Sequence, residues 1–190
     1  MENQDPDELA EAAKDTFKTR CALLVSALAL VLTVNNLGGS NTAKEATMSN
    51  ILASNTYAFY QAKNVRQTEY KLAADQIEFQ LAIEKLSAPT AELLKAKLAS
   101  YKKTIERYES EPETGEGKKE LMVKAKNLEQ ERDLALRKDP WFDYAEGLLQ
   151  LAIVLTSVAI ISNRRSMFSA ASVLGVVGTV CTLNGYFLFY

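Results

Sequence analysis

The stretch Trp141–Tyr190, WFDYAEGLLQLAIVLTSVAIISNRRSMFSAASVLGVVGTVCTLNGYFLFY, decides the fold, because two apolar runs in it flank the polar joint 162–166. The later run has the roughly 20 mainly apolar residues that a membrane-spanning helix needs, and the earlier run reaches that length with its aromatic entry. Aromatic residues cluster at the ends of both runs that lie away from the joint, and the pair Arg164-Arg165 lies at the joint. Both features are typical of membrane interfaces. A buried hairpin in a soluble protein is the alternative, but its bulky apolar end would then need a cover. We therefore predict transmembrane helices over 141–162 and 167–190.

An earlier apolar run, CALLVSALALVLTVNNL at Cys21–Leu37, is long enough for a short transmembrane helix. We predict this first span over 21–38, with Gly38-Gly39-Ser40 ending its helix. A signal peptide is the alternative, but its leading region would be long and acidic, and no clean cleavage site follows. Residues 1–20 predict a short helix with Asp5 as N-cap, either lying at the membrane interface or leading into the span in solvent.

The long polar middle, 41–140, has helical periodicity. Residues 41–86 contain neither glycine nor proline, and a seam spaced alternately by three and four residues runs along them. The pattern places Phe79 of this seam against a second helix that begins near Ala91. A break at 87–90 and a loop at 111–117 divide the rest into helices 90–110 and 118–138. The seam consists of Met48, Ile51, Asn55, Ala58, Ala62, Val65, Glu69, Leu72, Gln76, Phe79, Ile83 and Leu86.

Helix lengths then restrict how the middle folds. The first helix would rise about 70 Å, and each of the two later ones about 30 Å. The chain can return to the membrane if one long helix leads out and the two shorter ones lead back in line. We therefore predict an all-α protein with three transmembrane helices and a long antiparallel coiled-coil hairpin inserted between spans one and two.

Basic residues near the span ends predict the orientation. Lys14, Lys18 and Arg20 precede the first span, and Arg164-Arg165 lie between the second and third. Two crossings separate these clusters, so both can be cytoplasmic, which would place the hairpin on the opposite side of the membrane.

Composition argues against several functional classes. The chain has no histidine, which removes the commonest general base at neutral pH, and its two cysteines form no CxxC motif. The nearly balanced charge of the middle lacks the basic face that nucleic-acid binding needs. The glycines of loop 111–117 lack the Lys-Ser/Thr ending of a phosphate-binding loop. We predict no enzymatic activity and no catalytic, cofactor or metal site.

Three segments carry a family resemblance. They are SNTYAFYQAK at 54–63, the run from Glu131-Arg132-Asp133 to FDYAEGLLQLAI at 142–153, and Asn184-Gly185 before the last aromatic residues. In these segments the chain resembles the bacterial membrane proteins grouped as domain of unknown function 4337. The resemblance extends over most of the chain and implies a bacterial integral membrane protein with the order span, hairpin, span, span. The resemblance does not indicate which activity the chain has.

Polar residues near the outer span ends form the candidate site. Polar side chains in a bilayer need partners, so we expect these residues to meet in an interhelical hydrogen-bond layer. The alternative is an ion or proton pathway through an oligomer, with Glu146 as its titrating group. The members of this polar layer are Asn35, Asn36, Asp143, Glu146, Gln150 and Asn184.

Two further sets predict contacts between helices or between copies. Ala171, Gly175 and Gly178 form a small-residue face on the last span that permits close helix approach. Seam residues of the long helix are expected to help a second chain pack; they are Asn55, Ala58, Ala62 and Gln76. The first functional hypothesis is therefore a scaffolding membrane protein that forms a homo-oligomer among lipids. The second is an oligomeric channel or transport accessory that uses the polar layer.

Overall fold

A computed structural model of the chain describes the backbone of residues 6–189 and the side chains of residues 14–189. This part of the chain contains four helices: α1 (Pro6–Ile83), α2 (Ala88–Glu109), α3 (Lys118–Ser162) and α4 (Arg165–Phe187). The all-α prediction is therefore confirmed. The predicted N-cap Asp5 and the terminal Tyr190 lie outside the described residues.

Three of the helices meet the requirements of a membrane span. α1, α3 and α4 each contain a stretch long and apolar enough to cross a bilayer, judged by length and composition. The chain divides into two compact units, unit 1 (residues 1–46 and 133–190) and unit 2 (residues 47–132). α1 and α3 each contribute residues to both units, whereas α2 belongs to unit 2 and α4 to unit 1.

Two of the three predicted helix breaks lie where the sequence places them, and the first lies earlier. The predicted break at 87–90 is wrong in position, because α1 ends at Ile83 and α2 begins at Ala88 behind the N-cap Ser87. Proline fits the first turn of a helix, where its missing N–H is not needed, so Pro89 lies inside the start of α2. α2 ends before the predicted loop 111–117, and α3 begins directly after that loop. The joint between α3 and α4 lies within the predicted segment 162–166.

The predicted helix end at Gly38-Gly39-Ser40 is wrong, because α1 continues through these residues. A Cβ atom at Gly38 would lie 2.5 Å from Cε1 of Phe142 and 2.8 Å from Cζ of Tyr186. The missing side chain of Gly38 therefore serves the close approach of aromatic rings to the helix. Packing of this kind offsets the helix-weakening propensity of glycine.

The predicted end of the third middle helix at residue 138 is also wrong, since α3 continues through Pro140 to Ser162. Proline removes one backbone hydrogen bond and crowds the preceding turn, at a cost of about 3 kcal/mol in a helix interior. Ala135 and Phe142, on either side of Pro140, are buried. Their packing keeps the helix continuous where local propensity alone would end it.

The core of unit 1 is built from α1, α3 and α4. Leu28, Leu149 and Ala152 are buried at its centre. The small-residue face of α4 packs against this core, since a Cβ atom at Gly175 would lie 2.5 Å from Leu28 Cδ2, and one at Gly178 would lie 2.9 Å from Leu149 Cγ. Ala171 is buried as well. This face is thus used for helix packing inside the chain.

Within unit 2, the predicted seam does not form the inner face of α1. Phe79 is 64% exposed, whereas Ile77 is only 7% exposed. The face that packs within unit 2 again alternates by three and four residues, but it is shifted from the predicted one and consists mainly of small or polar residues. Its buried members are Ser49, Ala53, Thr56, Lys63, Gln67, Ala74 and Ile77. The predicted packing of Phe79 against the second helix is therefore wrong, because a search for apolar residues selects the opposite face.

The corrected inner face predicts the ranking of two substitutions. Ile77→Ala should destabilise unit 2 by about 2–4 kcal/mol, because it removes buried methyl groups and leaves a cavity. Phe79→Ala should change the local stability by less than about 1 kcal/mol, because that ring lies outside the packed face. Amide hydrogen exchange of α2 peptides, measured on the full chain in mild detergent at one fixed protein concentration, gives both values. A larger loss of stability in Phe79→Ala than in Ile77→Ala would mean that the predicted seam is the packed face after all.

Candidate functional site

Asn35 is the centre of the polar layer in unit 1. Its side chain is buried at 1% exposure within the apolar part of α1. Its Nδ2 donates a hydrogen bond of 2.9 Å to the backbone carbonyl of Phe142 on α3. Its Oδ1 accepts one of 3.0 Å from the hydroxyl of Thr182 on α4. One amide side chain therefore links three helices and has partners for both its donor and its acceptor.

Tyr186 adds a second link on the next turn of α4. Its hydroxyl donates a hydrogen bond of 2.9 Å to the backbone carbonyl of Val34. Its ring meets that of Phe142 edge to face, with centroids 5.1 Å apart. Asn184, a predicted member of the layer, is buried on α4 between Thr182 and Tyr186. Sequence reasoning missed Thr182 and Tyr186, although both lie one helical turn apart beside the polar Asn184.

An open cleft of about 460 Å³ lies beside Asn35. It brings together Asn35, Asn36, Asp143 and Glu146 of the predicted layer, and it adds Asp139. Asp139, Asp143 and Glu146 follow one another on α3 at spacings of four and three, which places their carboxylates on one side of that helix. The three carboxylates can accept protons, but among the described residues no group of three or more His, Cys, Asp or Glu side chains is placed to hold a metal ion.

Gln150 joins the layer through Glu146. Its Nε2 donates a hydrogen bond of 2.9 Å to Glu146 Oε1, and both residues are on α3. Gln150 itself is exposed and lies outside the cleft lining. The predicted layer therefore separates into a buried cluster around Asn35, a cleft that contains Glu146, and the outlying Gln150.

A second polar cluster lies in unit 2 around Lys63. The Lys63 side chain is only 7% exposed, and its Nζ lies 3.4 Å from Glu116 Oε2 and 4.0 Å from Glu111 Oε2. The same ammonium group lies 5.0 Å from the ring centroid of Phe59. Lysine is rarely buried unless it is paired, and here two carboxylates and a ring face compensate the lost hydration.

Gln67, one turn further along α1, is buried at 1% exposure and bonds both other helices of unit 2. Its Nε2 donates to the carbonyl of Ile105 at 2.9 Å and to Glu109 Oε2 at 3.1 Å. Its Oε1 accepts a hydrogen bond of 2.8 Å from Lys118 Nζ. Hydrogen bonds from Gln67 and then from Lys118 lower the pKa of Glu109.

The 110–117 loop is closed by Glu120. Its Oε1 accepts a hydrogen bond of 2.6 Å from the Ser110 hydroxyl, and its Oε2 accepts one of 3.1 Å from the backbone N–H of Glu111. The hydrogen bond from Ser110 lowers the pKa of Glu120, with a smaller contribution from the Glu111 amide. A Cβ atom at Gly117 would overlap the backbone of Ser110 and Glu111, so glycine is required at this close approach.

The ion pairs of Lys63 predict that removing the two carboxylates costs more stability than removing the ammonium group. The double variant Glu111→Gln, Glu116→Gln leaves a buried ammonium group without a counter-charge, which should cost unit 2 about 2–4 kcal/mol. Lys63→Met leaves carboxylates that water can reach, and it should cost less than about 1 kcal/mol. Hydrogen exchange of α2 and loop peptides measures both effects, with the loop variant Glu113→Gln as the control. Equal losses of stability in the double variant and in Lys63→Met would mean that the Lys63 ammonium group is hydrated.

No curated protein and no solved structure matches the chain. The family model described as Domain of unknown function (DUF4337) matches residues 17–188. The match begins at Phe17, before the first apolar run, and ends at Leu188, after α4, so it includes both polar clusters and all three segments of the resemblance. The chain therefore belongs to the DUF4337 family.

Proposed function

We propose that this chain is a non-enzymatic scaffolding protein of a bacterial inner membrane that forms a homo-oligomer through unit 2. Three helices of sufficient length and apolarity support membrane insertion. Their spans are proposed to lie at 21–38, 141–162 and 167–190, as the sequence predicts. The basic residues before α1 enters the membrane and at the α3–α4 joint favour a cytoplasmic N-terminus, which puts unit 2 in the periplasm.

Contacts inside unit 2 support an antiparallel coiled-coil hairpin. The Tyr57 hydroxyl on α1 donates a hydrogen bond of 3.1 Å to Glu129 on α3. Further along α1, Gln67 bonds the carbonyl of Ile105 on α2. Further still, Glu78 pairs with Lys102 at 2.6 Å. Residue numbers on α1 rise as those of its partners fall, which is the pattern of helices that run in opposite directions.

The exposed apolar stripe of α1 in unit 2 is the observation that carries the proposal. Its side chains lie outside the packed face at coiled-coil spacing: Met48, Ile51, Val65, Leu72, Phe79 and Ile83. Lipid covers such surfaces within a bilayer, but in the periplasm a long apolar stripe needs a protein partner. The predicted contact residues Asn55, Ala58, Ala62 and Gln76 lie along the same stripe and are also exposed. A second copy inserted in the same direction presents an identical stripe in parallel.

Cysteine cross-linking tests the proposed oligomer. In a chain with Cys21→Ala and Cys181→Ala, Leu72→Cys should give disulfide-linked dimers in membranes, because position 72 would face its equivalent. Lys103→Cys, exposed on α2, should stay monomeric under the same oxidant and serves as the matched control. Native mass spectrometry in mild detergent provides the second measurement. A strict monomer at all concentrations, with no cross-link at position 72, would end the proposal.

The second candidate is an oligomeric channel or transport accessory, and the cleft beside Asn35 favours it. Its carboxylates and amides offer oxygen atoms at the outer ends of the proposed spans. Glu146→Gln should then reduce cation or proton flux into liposomes about tenfold, because it removes the titrating group. Glu113→Gln in the exposed loop of unit 2 is the control. Flux that Glu146→Gln leaves unchanged would remove this residue from the pathway.

A further inference from the structure

A basic cleft lies between α1 and the start of α4 in unit 1. It has a volume of about 390 Å³ and is lined by Thr16, Phe17 and Arg20 of α1 and by Arg165, Phe168 and Ser169 of α4. Two guanidinium groups thus border one depression, whereas the Ser169 hydroxyl donates to the backbone carbonyl of Arg165. Among the described residues, no carboxylate forms an ion pair with Arg20 or Arg165. The cleft has a positive charge and hydrogen-bond donors, which is the chemistry that binds a phosphate group.

Two features hold the cleft in shape. The rings of Phe17 and Phe168 meet edge to face, with centroids 5.8 Å apart, and so tie α1 to α4 at this level. α4 begins at Arg165, and its N-cap residue Arg164 makes no side-chain capping bond. The positive end of the α4 dipole therefore adds to the charge of the arginines at this position.

An apolar groove follows the cleft along the same two helices. It has a volume of about 330 Å³ and is lined by Leu24, Ala27 and Val31 of α1 and by Gly175, Val176 and Val180 of α4, with their neighbours. The groove residues follow those of the cleft by about one turn on each helix, from Arg20 to Leu24 and from Ser169 to Ser172. The stretch from Leu24 to Val31 rises about 10 Å, which matches a substantial part of an acyl chain.

We propose that cleft and groove form one binding site for an anionic phospholipid. Arg20 and Arg165 hold the phosphate, and one acyl chain lies in the groove. Continuity between a basic cleft and an apolar groove favours a lipid over free phosphate. Among the residues whose side chains are described, the cleft is lined by no carboxylate that could pair with the ammonium group of a zwitterionic lipid, so an acidic lipid is preferred. The inference rests on the proposed membrane insertion and is independent of the oligomer.

Lipid retention in native mass spectrometry tests the headgroup contacts. The full chain, transferred from mixed micelles of phosphatidylglycerol and phosphatidylcholine, should retain phosphatidylglycerol selectively. Arg20→Gln with Arg165→Gln should weaken that retention about tenfold or more, because two charge-assisted contacts to the phosphate are lost. Lys14→Gln with Lys18→Gln removes the same charge from the same end of α1 but leaves the cleft lining intact. This control should change retention less than about threefold.

A second pair of variants tests the groove. Ala27 and Ala29 are both exposed on α1, and only Ala27 lines the groove. Ala27→Phe should fill the groove and reduce phosphatidylglycerol retention about tenfold, whereas Ala29→Phe should leave it unchanged. Glycerol phosphate, which has the headgroup without acyl chains, should fail to displace the lipid at equal concentration.

Three outcomes would overturn the lipid site. Equal loss in the two charge variants would mean diffuse interfacial electrostatics, and equal loss in the two phenylalanine variants would mean that the groove holds no chain. Displacement by glycerol phosphate would mean that the cleft binds free phosphate compounds. Alkaline carbonate extraction of the same membranes shows whether the chain is inserted in the bilayer. It therefore distinguishes failure of the lipid site from failure of the proposed membrane insertion. An extracted chain ends both proposals, whereas an inserted chain without selective retention ends the lipid site alone.

Discussion

The packing of α1 depends on a seven-residue repeat that this helix maintains from one unit into the other. Every seventh residue from Cys21 onward is buried or half-buried against other helices of its own unit. A repeat of 3.5 residues per turn keeps one face of a helix inward over many turns, whatever the chemistry of the side chains on that face. The repeat consists of Cys21, Leu28, Asn35, Thr42, Ser49, Thr56, Lys63, Tyr70 and Ile77.

Several members of this repeat are polar, and their partners determine which elements can pack beside them. A buried amide or ammonium group is costly unless it is bonded. Asn35 needs the Phe142 carbonyl and the Thr182 hydroxyl, so α3 and α4 must present those atoms at its level. Lys63 needs the carboxylates of Glu111 and Glu116 in the 110–117 loop, so that loop must lie beside it. Bonds of this kind select one arrangement more than they add stability.

Sequence patterns predicted the features that depend on local chemistry and missed those that depend on packing. The long apolar runs, the presence of a break before α2 and the loop before α3 follow from composition and turn residues, although the break lies earlier than 87–90. Helices were expected to end at Gly38 and at residue 138, but rings packed beside Gly38 and buried residues around Pro140 outweigh the local propensities of glycine and proline. The inner seam was misplaced because Lys63 and Gln67 give no sign in sequence that their partners lie dozens of residues away. Asn35 was found because an amide in an apolar run needs a partner wherever that partner lies.

The two faces of α1 in unit 2 reverse the usual distribution of polar and apolar residues. The inner face buries Lys63 and Gln67 against their own chain, while Leu72 and Phe79 lie outside. In water, an isolated chain would gain little from this arrangement, because its largest apolar side chains stay hydrated. A second chain laid along the outer face would bury them and provide the missing hydrophobic free energy. The polar inner face would then specify how each chain packs on itself, and the apolar outer face would specify how chains associate.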